Sequence, residues 1–200
     1  MGPSVPIRRI FAGLWLVALL ALAGGVGLLA LSAWGRPLAQ AEQAATDGNL
    51  ELALERYAAG EARFNRIPFA KQLLPRTYED SIANQLWLQY RLKRYEALIE
   101  KADTSPSLAA AHFWSGCASF EKFRVEKDPE ARLGWLSRAT DEFRKALEAS
   151  PTDWDSKYNY ELSQRVTNLL RKEPKTPPTE MLQLLRQQPR QTGLAQKRTG

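Results

Sequence analysis

His112 and Cys117 are the only histidine and the only cysteine among the 200 residues, and they stand five apart. A nucleophilic Cys/His pair needs its two side chains within hydrogen-bond reach. On a helix, five residues separate them by roughly 140° of rotation, which leaves no shared face. The expectation is a packed cysteine, one of the most buried residue types, beside a part-exposed histidine. A lone cysteine excludes an intramolecular disulfide, and one His with one Cys falls short of the usual zinc ligand count. Asp153-Trp154-Asp155 has the residue types that open a calcium loop, but the central glycine and terminal glutamate are missing at the required spacing. That stretch is expected to cap a helix. Gly24-Gly25-Val26-Gly27 lacks the lysine of a phosphate-binding loop. No catalytic, cofactor-binding or metal-ligating set is expected, and the chain is read as a non-enzyme without a small-molecule substrate.

The elements that must position any working residue are helices. Alanine, leucine, glutamate and arginine dominate and β-branched residues are few, so helix is the default. Ala139, Phe143, Ala146 and Leu147 form an amphipathic stripe, which Pro151 stops. Thr152 and Asp153 are N-cap candidates for a helix with Trp154, Tyr158, Leu162 and Val166 on one face. The A-x3-F-x2-A-L-x3-P run resembles the tetratricopeptide repeat where one repeat passes to the next, and that resemblance implies stacked helical hairpins.

Three hairpins and a closing helix are expected over 37–172. The first runs from Pro37 to Phe64, with Asp47-Gly48-Asn49 as its turn. After the irregular RIPFAKQLLPR, broken by Pro68 and Pro75, a second begins at Tyr78 and turns near Lys93-Arg94. Its core is read as Leu86, Leu88, Tyr90, Leu92, Tyr95 and Leu98. The third opens at Ser107, places Gly116 at the close-packing position, and carries an insertion over 122–134 before a helix from Trp135. The helix over 154–172 is expected to cap the stack. About three repeats is near the minimum for a continuous core.

Upstream, Ile10 to Trp34 holds no charged residue. As a helix, that stretch would span roughly 37 Å, enough to cross a hydrocarbon core with some tilt. Arg8 and Arg9 precede it and Arg36 alone follows closely. This asymmetry predicts a cytoplasmic N-terminus over 1–9, a single transmembrane anchor over 10–34 and an external main domain. A cleaved signal peptide is the rival, since Ala21-Leu22-Ala23 and Ala39-Gln40-Ala41 have the small-x-small form; the length of the run favours the anchor. The fold class expected is all-α: one N-terminal transmembrane helix and a short tetratricopeptide-like solenoid.

Charge is placed unevenly. Of the net +6, the segment from Arg171 onward contributes +5 and Arg8 with Arg9 contributes +2, leaving 10–170 at −1. A near-neutral domain predicts no nucleic-acid face. The tail over 173–200, with Pro174, Pro177, Pro178 and Pro189, has the composition of a segment without a core and is read as disordered.

In tetratricopeptide-like stacks the first helix of each hairpin lines a concave, peptide-binding groove. With Gly116 as register anchor, the resemblance puts Phe113, Cys117, Phe120 and Glu121 on that face, and Asp155, Tyr158, Leu162 and Arg165 from the last helix. The partner-binding set is thus Phe113, Phe120, Glu121, Asp155, Tyr158 and Arg165.

Leu73-Leu74-Pro75, Asn84-Gln85-Leu86 and Trp154-Asp155-Ser156-Lys157-Tyr158-Asn159, set between an anchor and a Pro-rich basic tail, carry a further resemblance over roughly 10–170. The chain is similar to the small membrane-anchored proteins of bacterial operons for MoxR-type ATPases and von Willebrand factor A proteins, and within them to the MxaK-like accessory proteins of methanol dehydrogenase gene clusters. The resemblance implies an inner-membrane, periplasm-facing accessory protein that assists calcium insertion into, or assembly of, a quinoprotein dehydrogenase. Its implied partners are the other proteins of the operon and the dehydrogenase client. A general envelope scaffold without a metalloenzyme client would carry the same repeats.

Overall fold

The computed structural model describes residues 7–172, with Gln183 and Arg186; side chains are described from Leu14, except at 23, 26–34 and 171–172. The sequence reading of the tail over 173–200, those two positions apart, lies outside the described residues. So does 1–6 of the N-terminal segment.

The described chain is all helix, in the order α1 (Ile7–Thr46), α2 (Leu50–Arg66), α3 (Ala70–Leu73), α4 (Pro75–Arg91), α5 (Tyr95–Asp103), α6 (Ala109–Val125), α7 (Pro129–Ala149) and α8 (Trp154–Lys172). Successive helices pack as antiparallel neighbours: α1 on α2, α4 on α5, α6 on α7, with α2 against α4, α5 against α6 and α7 against α8. This is a helical-repeat-like stack.

Local chemistry explains the breaks. Gly48, at φ +81°, takes the left-handed turn between α1 and α2, and the Asn49 side chain caps α2 by accepting from the Leu52 N–H at 3.2 Å. Lys93 supplies the positive φ (57°) between α4 and α5, where no glycine stands. Pro75 is the first residue of α4, a position where its missing N–H costs nothing. The second hairpin therefore starts three residues before Tyr78.

Three expectations are corrected. The insertion over 122–134 is mostly helix, because Asp128 caps α7 by accepting from the Ala131 N–H at 2.8 Å and Pro129 starts it. Only Glu126 to Asp128 lie outside helix. The stripe Trp154, Tyr158, Leu162 and Val166 is not one buried face: Trp154 is 70 % exposed and Tyr158 half-buried, while α8 buries Asp155, Ser156, Asn159, Leu162, Ser163 and Val166. In the second hairpin Leu86, Leu88, Tyr90 and Leu98 are buried, whereas Leu92 and Tyr95 are half-buried.

One core runs through the stack, with Phe120, Phe123, Phe143, Leu86, Leu88, Leu98 and Leu136 fully enclosed. Each such side chain contributes about 1.5–3 kcal/mol by leaving water. Polar ties join the hairpins. Glu61 of α2 accepts from Gln85 of α4 at 3.0 Å and Lys101 of α5 at 2.6 Å. Asn84 donates to the Tyr57 hydroxyl at 3.0 Å, whose pKa is pushed up to about 12 by burial and by Glu42.

α1 does not end at Trp34 but continues through Pro37 into the first hairpin. Leu14, Trp15, Leu16, Val17, Leu19, Leu20 and Leu22 are each at least 60 % exposed. Consecutive positions of a helix point in all directions, so its apolar surface is uncovered all round. Among the described residues no helix is long and apolar enough to cross a membrane; of the uncharged run, 14–22, 24 and 25 are those with described side chains.

Candidate partner-binding face

From Phe113 to Phe120 every residue of α6 is buried, and so is every residue of α4 from Ser81 to Leu88. A helix buried through two consecutive turns has no solvent-facing side there. Phe113 stacks edge-on with Trp114 (centroids 5.0 Å apart) and lies 6.2 Å from Phe143. Phe120, 1 % exposed, packs against Phe123 at 5.6 Å. These two expected groove residues are core residues here.

Glu121 is half-buried and engaged: both carboxylate oxygens accept from Arg124 Nη1 at 2.9 Å, and one accepts from the Tyr90 hydroxyl at 3.3 Å. Asp155 is buried, and its Oδ2 has no hydrogen-bond partner among the described residues. Burial, Glu121 and Asp155 together push the Cys117 thiol well above its ordinary range. A thiol so held has little thiolate and is a poor nucleophile.

His112 faces elsewhere. Its Nε2 lies 2.9 Å from the Pro106 carbonyl oxygen and its Nδ1 lies 2.8 Å from Glu142 Oε2. Both ring nitrogens thus face acceptor oxygens. Glu142 also accepts from Lys145 at 2.7 Å. Burial raises the Glu142 pKa, but the bonds from Lys145 and His112 outweigh it and leave the carboxyl below its ordinary value. The arrangement ties α6 to α7 and directs no group at Cys117. Among the described residues no group of three or more His, Cys, Asp or Glu side chains could hold a metal ion.

What stays accessible belongs to α8. Tyr158 is half-buried and Arg165 exposed. Trp154, four residues before Tyr158, lies on the same face within about 40° of helical rotation, and Arg165 falls between them at about 20°. Lys157 Nζ sits 4.9 Å from the centre of the Trp154 ring. The accessible stripe is therefore Trp154, Tyr158 and Arg165. The sequence reading missed the exposure of Trp154. The available signal was Ser156, Asn159 and Ser163, small residues at helical spacing whose face packs inward. Asp153 fixes where the helix begins, accepting from the Ser156 N–H at 3.0 Å and from its hydroxyl at 2.6 Å.

Compared with protein-family models, curated proteins and solved structures, the chain matches none.

Proposed function

We propose that the protein is a scaffold: it is held to the bacterial inner membrane by the apolar part of α1, faces the periplasm, and works by binding a partner protein without chemistry of its own. The observation that carries this reading is the stripe Trp154–Tyr158–Arg165 on the accessible face of α8. Tryptophan, tyrosine and arginine are the residue types in which binding energy concentrates at protein interfaces. The groups best suited to chemistry, Cys117, His112 and Glu142, are occupied in packing contacts. The uncharged run Ile10 to Trp34 and the exposed apolar side chains of α1 support the anchor, and Arg8 with Arg9 supports an inward N-terminus.

The resemblance to MxaK-like proteins supports a client, a quinoprotein methanol dehydrogenase whose calcium insertion or assembly the scaffold assists. A general envelope scaffold is the second reading, favoured by the same stripe without that resemblance. The test combines topology and client. A C-terminal alkaline phosphatase fusion should be active and a cytoplasm-only reporter dark. Cells with Trp154→Ala/Tyr158→Ala/Arg165→Ala should make normal amounts of dehydrogenase that is short of calcium. Normal calcium with lost binding of another envelope protein selects the second reading; normal calcium with all partners retained removes the stripe as the working surface.

A further inference from the structure

The segment joining α2 to α4 has features that packing alone does not account for. Phe69 holds the left-handed conformation, φ 63° and ψ −1°, yet its side chain is 73 % exposed. A bulky residue in that region carries backbone strain, and a side chain so exposed recovers little of it by packing. Ile67 and Leu73, on either side, are 46 % and 76 % exposed. The segment is nevertheless held in place. Ala70 between them is buried, its N–H donates to the Ile67 carbonyl at 3.2 Å, and Leu73 N–H donates to the Phe69 carbonyl at 2.9 Å. Pro68 also restricts Ile67 to extended backbone. Three apolar side chains are thus presented to solvent by an ordered support.

Their surroundings are basic. Between Glu61 and Glu79 the chain has Arg63, Arg66, Lys71 and Arg76 and no acidic residue. Glu79 and Asp80 follow in α4; burial raises the Asp80 pKa and Arg76, one turn before it, pulls the other way. Lys71 lies over the Tyr78 ring, 4.6 Å from its centre. Apolar side chains that project from among cations match an anionic lipid surface, where the apolar groups enter the headgroup boundary and the cations meet phosphates.

The position of the patch agrees. α1 and α2 form an antiparallel hairpin about Gly48-Asn49, and they touch where a Cβ on Gly60 would lie 2.8 Å from Leu38 Cδ2. Arg66 is six residues further along α2, about 9 Å at the helical rise. The same distance back along α1 from Leu38 reaches the backbone around Ser32, in the last turns of the uncharged run. The patch therefore sits level with the place where the apolar helix leaves the stack.

We infer that the α2–α4 segment is a second membrane contact, in which Ile67, Phe69 and Leu73 insert at the interface of an anionic bilayer and Arg66 and Lys71 meet its headgroups. The inference rests on the anchor reading, and two probes separate them. The full-length protein is reconstituted in nanodiscs of phosphatidylcholine, or of equimolar phosphatidylcholine and phosphatidylglycerol. An environment-sensitive fluorophore is placed at Leu19→Cys or at Phe69→Cys under native conditions, with Leu73→Cys as a second site if the Phe69 variant fails to fold by circular dichroism.

Lipids with a mid-chain quencher should dim the Leu19 probe in both discs. Lipids with a headgroup-level quencher should dim the Phe69 probe strongly in the anionic disc and weakly in phosphatidylcholine. Arg66→Gln/Lys71→Gln should lower the docking equilibrium by roughly thirty-fold, about a factor of five per cation near an anionic surface. A quenched Leu19 probe with an unquenched Phe69 probe overturns the inference and leaves the anchor standing. An unquenched Leu19 probe removes the anchor, and the second contact with it. If soluble polyglutamate shifts the Phe69 probe while anionic lipid does not, the patch is an acidic-polypeptide site and the inference is wrong.

Discussion

Gly116 of α6 lies so close to Phe143 of α7 that a Cβ on Gly116 would stand 2.7 Å from two carbons of the ring. The ring cannot swing aside cheaply, since Phe143 is 1 % exposed and meets Phe113 on the same side of the core. Gly116→Ala should therefore destabilise the protein by about 1–3 kcal/mol, the usual cost of overpacking, despite the roughly 1 kcal/mol gained in helix propensity. Urea melts of the purified full-length protein check this. Adding Phe143→Leu should recover part of the loss; full additivity would mean that the two residues do not meet.

Phe143→Ala removes the ring itself. The expected loss is about 3–5 kcal/mol, a large share of the stability of an ordinary domain. The thermal melt should drop and lose cooperativity. An unchanged melt would place Phe143 outside the core.

Phe69→Gly should stabilise. Leaving the left-handed region to a glycine relieves about 1–2 kcal/mol, of which about 0.4–1 kcal/mol returns as unfolded-state freedom. Phe69→Ala, which keeps a Cβ, should show no such gain. A lower urea midpoint for the glycine variant would mean that the exposed ring contributes to folding after all.

Glu142 sets an acid dependence. Its folded carboxyl sits below the ordinary 4.5, so the folded state binds its proton less readily than the unfolded one. The stability this contributes is present above pH 4.5 and lost as pH falls through the lower folded value. In urea melts taken at falling pH, Glu142→Gln should start less stable and decline less steeply than wild type. Parallel acid limbs would show that Glu142 does not carry the dependence.

Much of the architecture follows from local signals. The Ala139–Phe143–Ala146 stripe, Pro151 and the Asp153 cap locate α7, its end and the start of α8, because caps and proline act within a turn of where they stand. Gly48 marks a turn for the same reason. Within 122–134, Asp128-Pro129, a cap followed by proline, is the local signal that starts α7 inside the expected loop.

Which way each helix faces is another matter. Periodicity puts Trp154 on one face of α8 with Leu162 and Val166, and the repeat resemblance puts Phe113 and Phe120 on an open groove. The fold reverses both: α6 is enclosed on every side through two turns, and α8 packs through Ser156, Asn159 and Ser163. Small polar side chains let neighbouring backbones come close, and that depends on what lies opposite, which one helix's periodicity does not carry. The level of the Phe69 segment relative to the end of the apolar run is equally out of reach of the sequence. It is set by the Gly60–Leu38 contact, two residues distant in the chain that meet only because α1 and α2 fold back on each other.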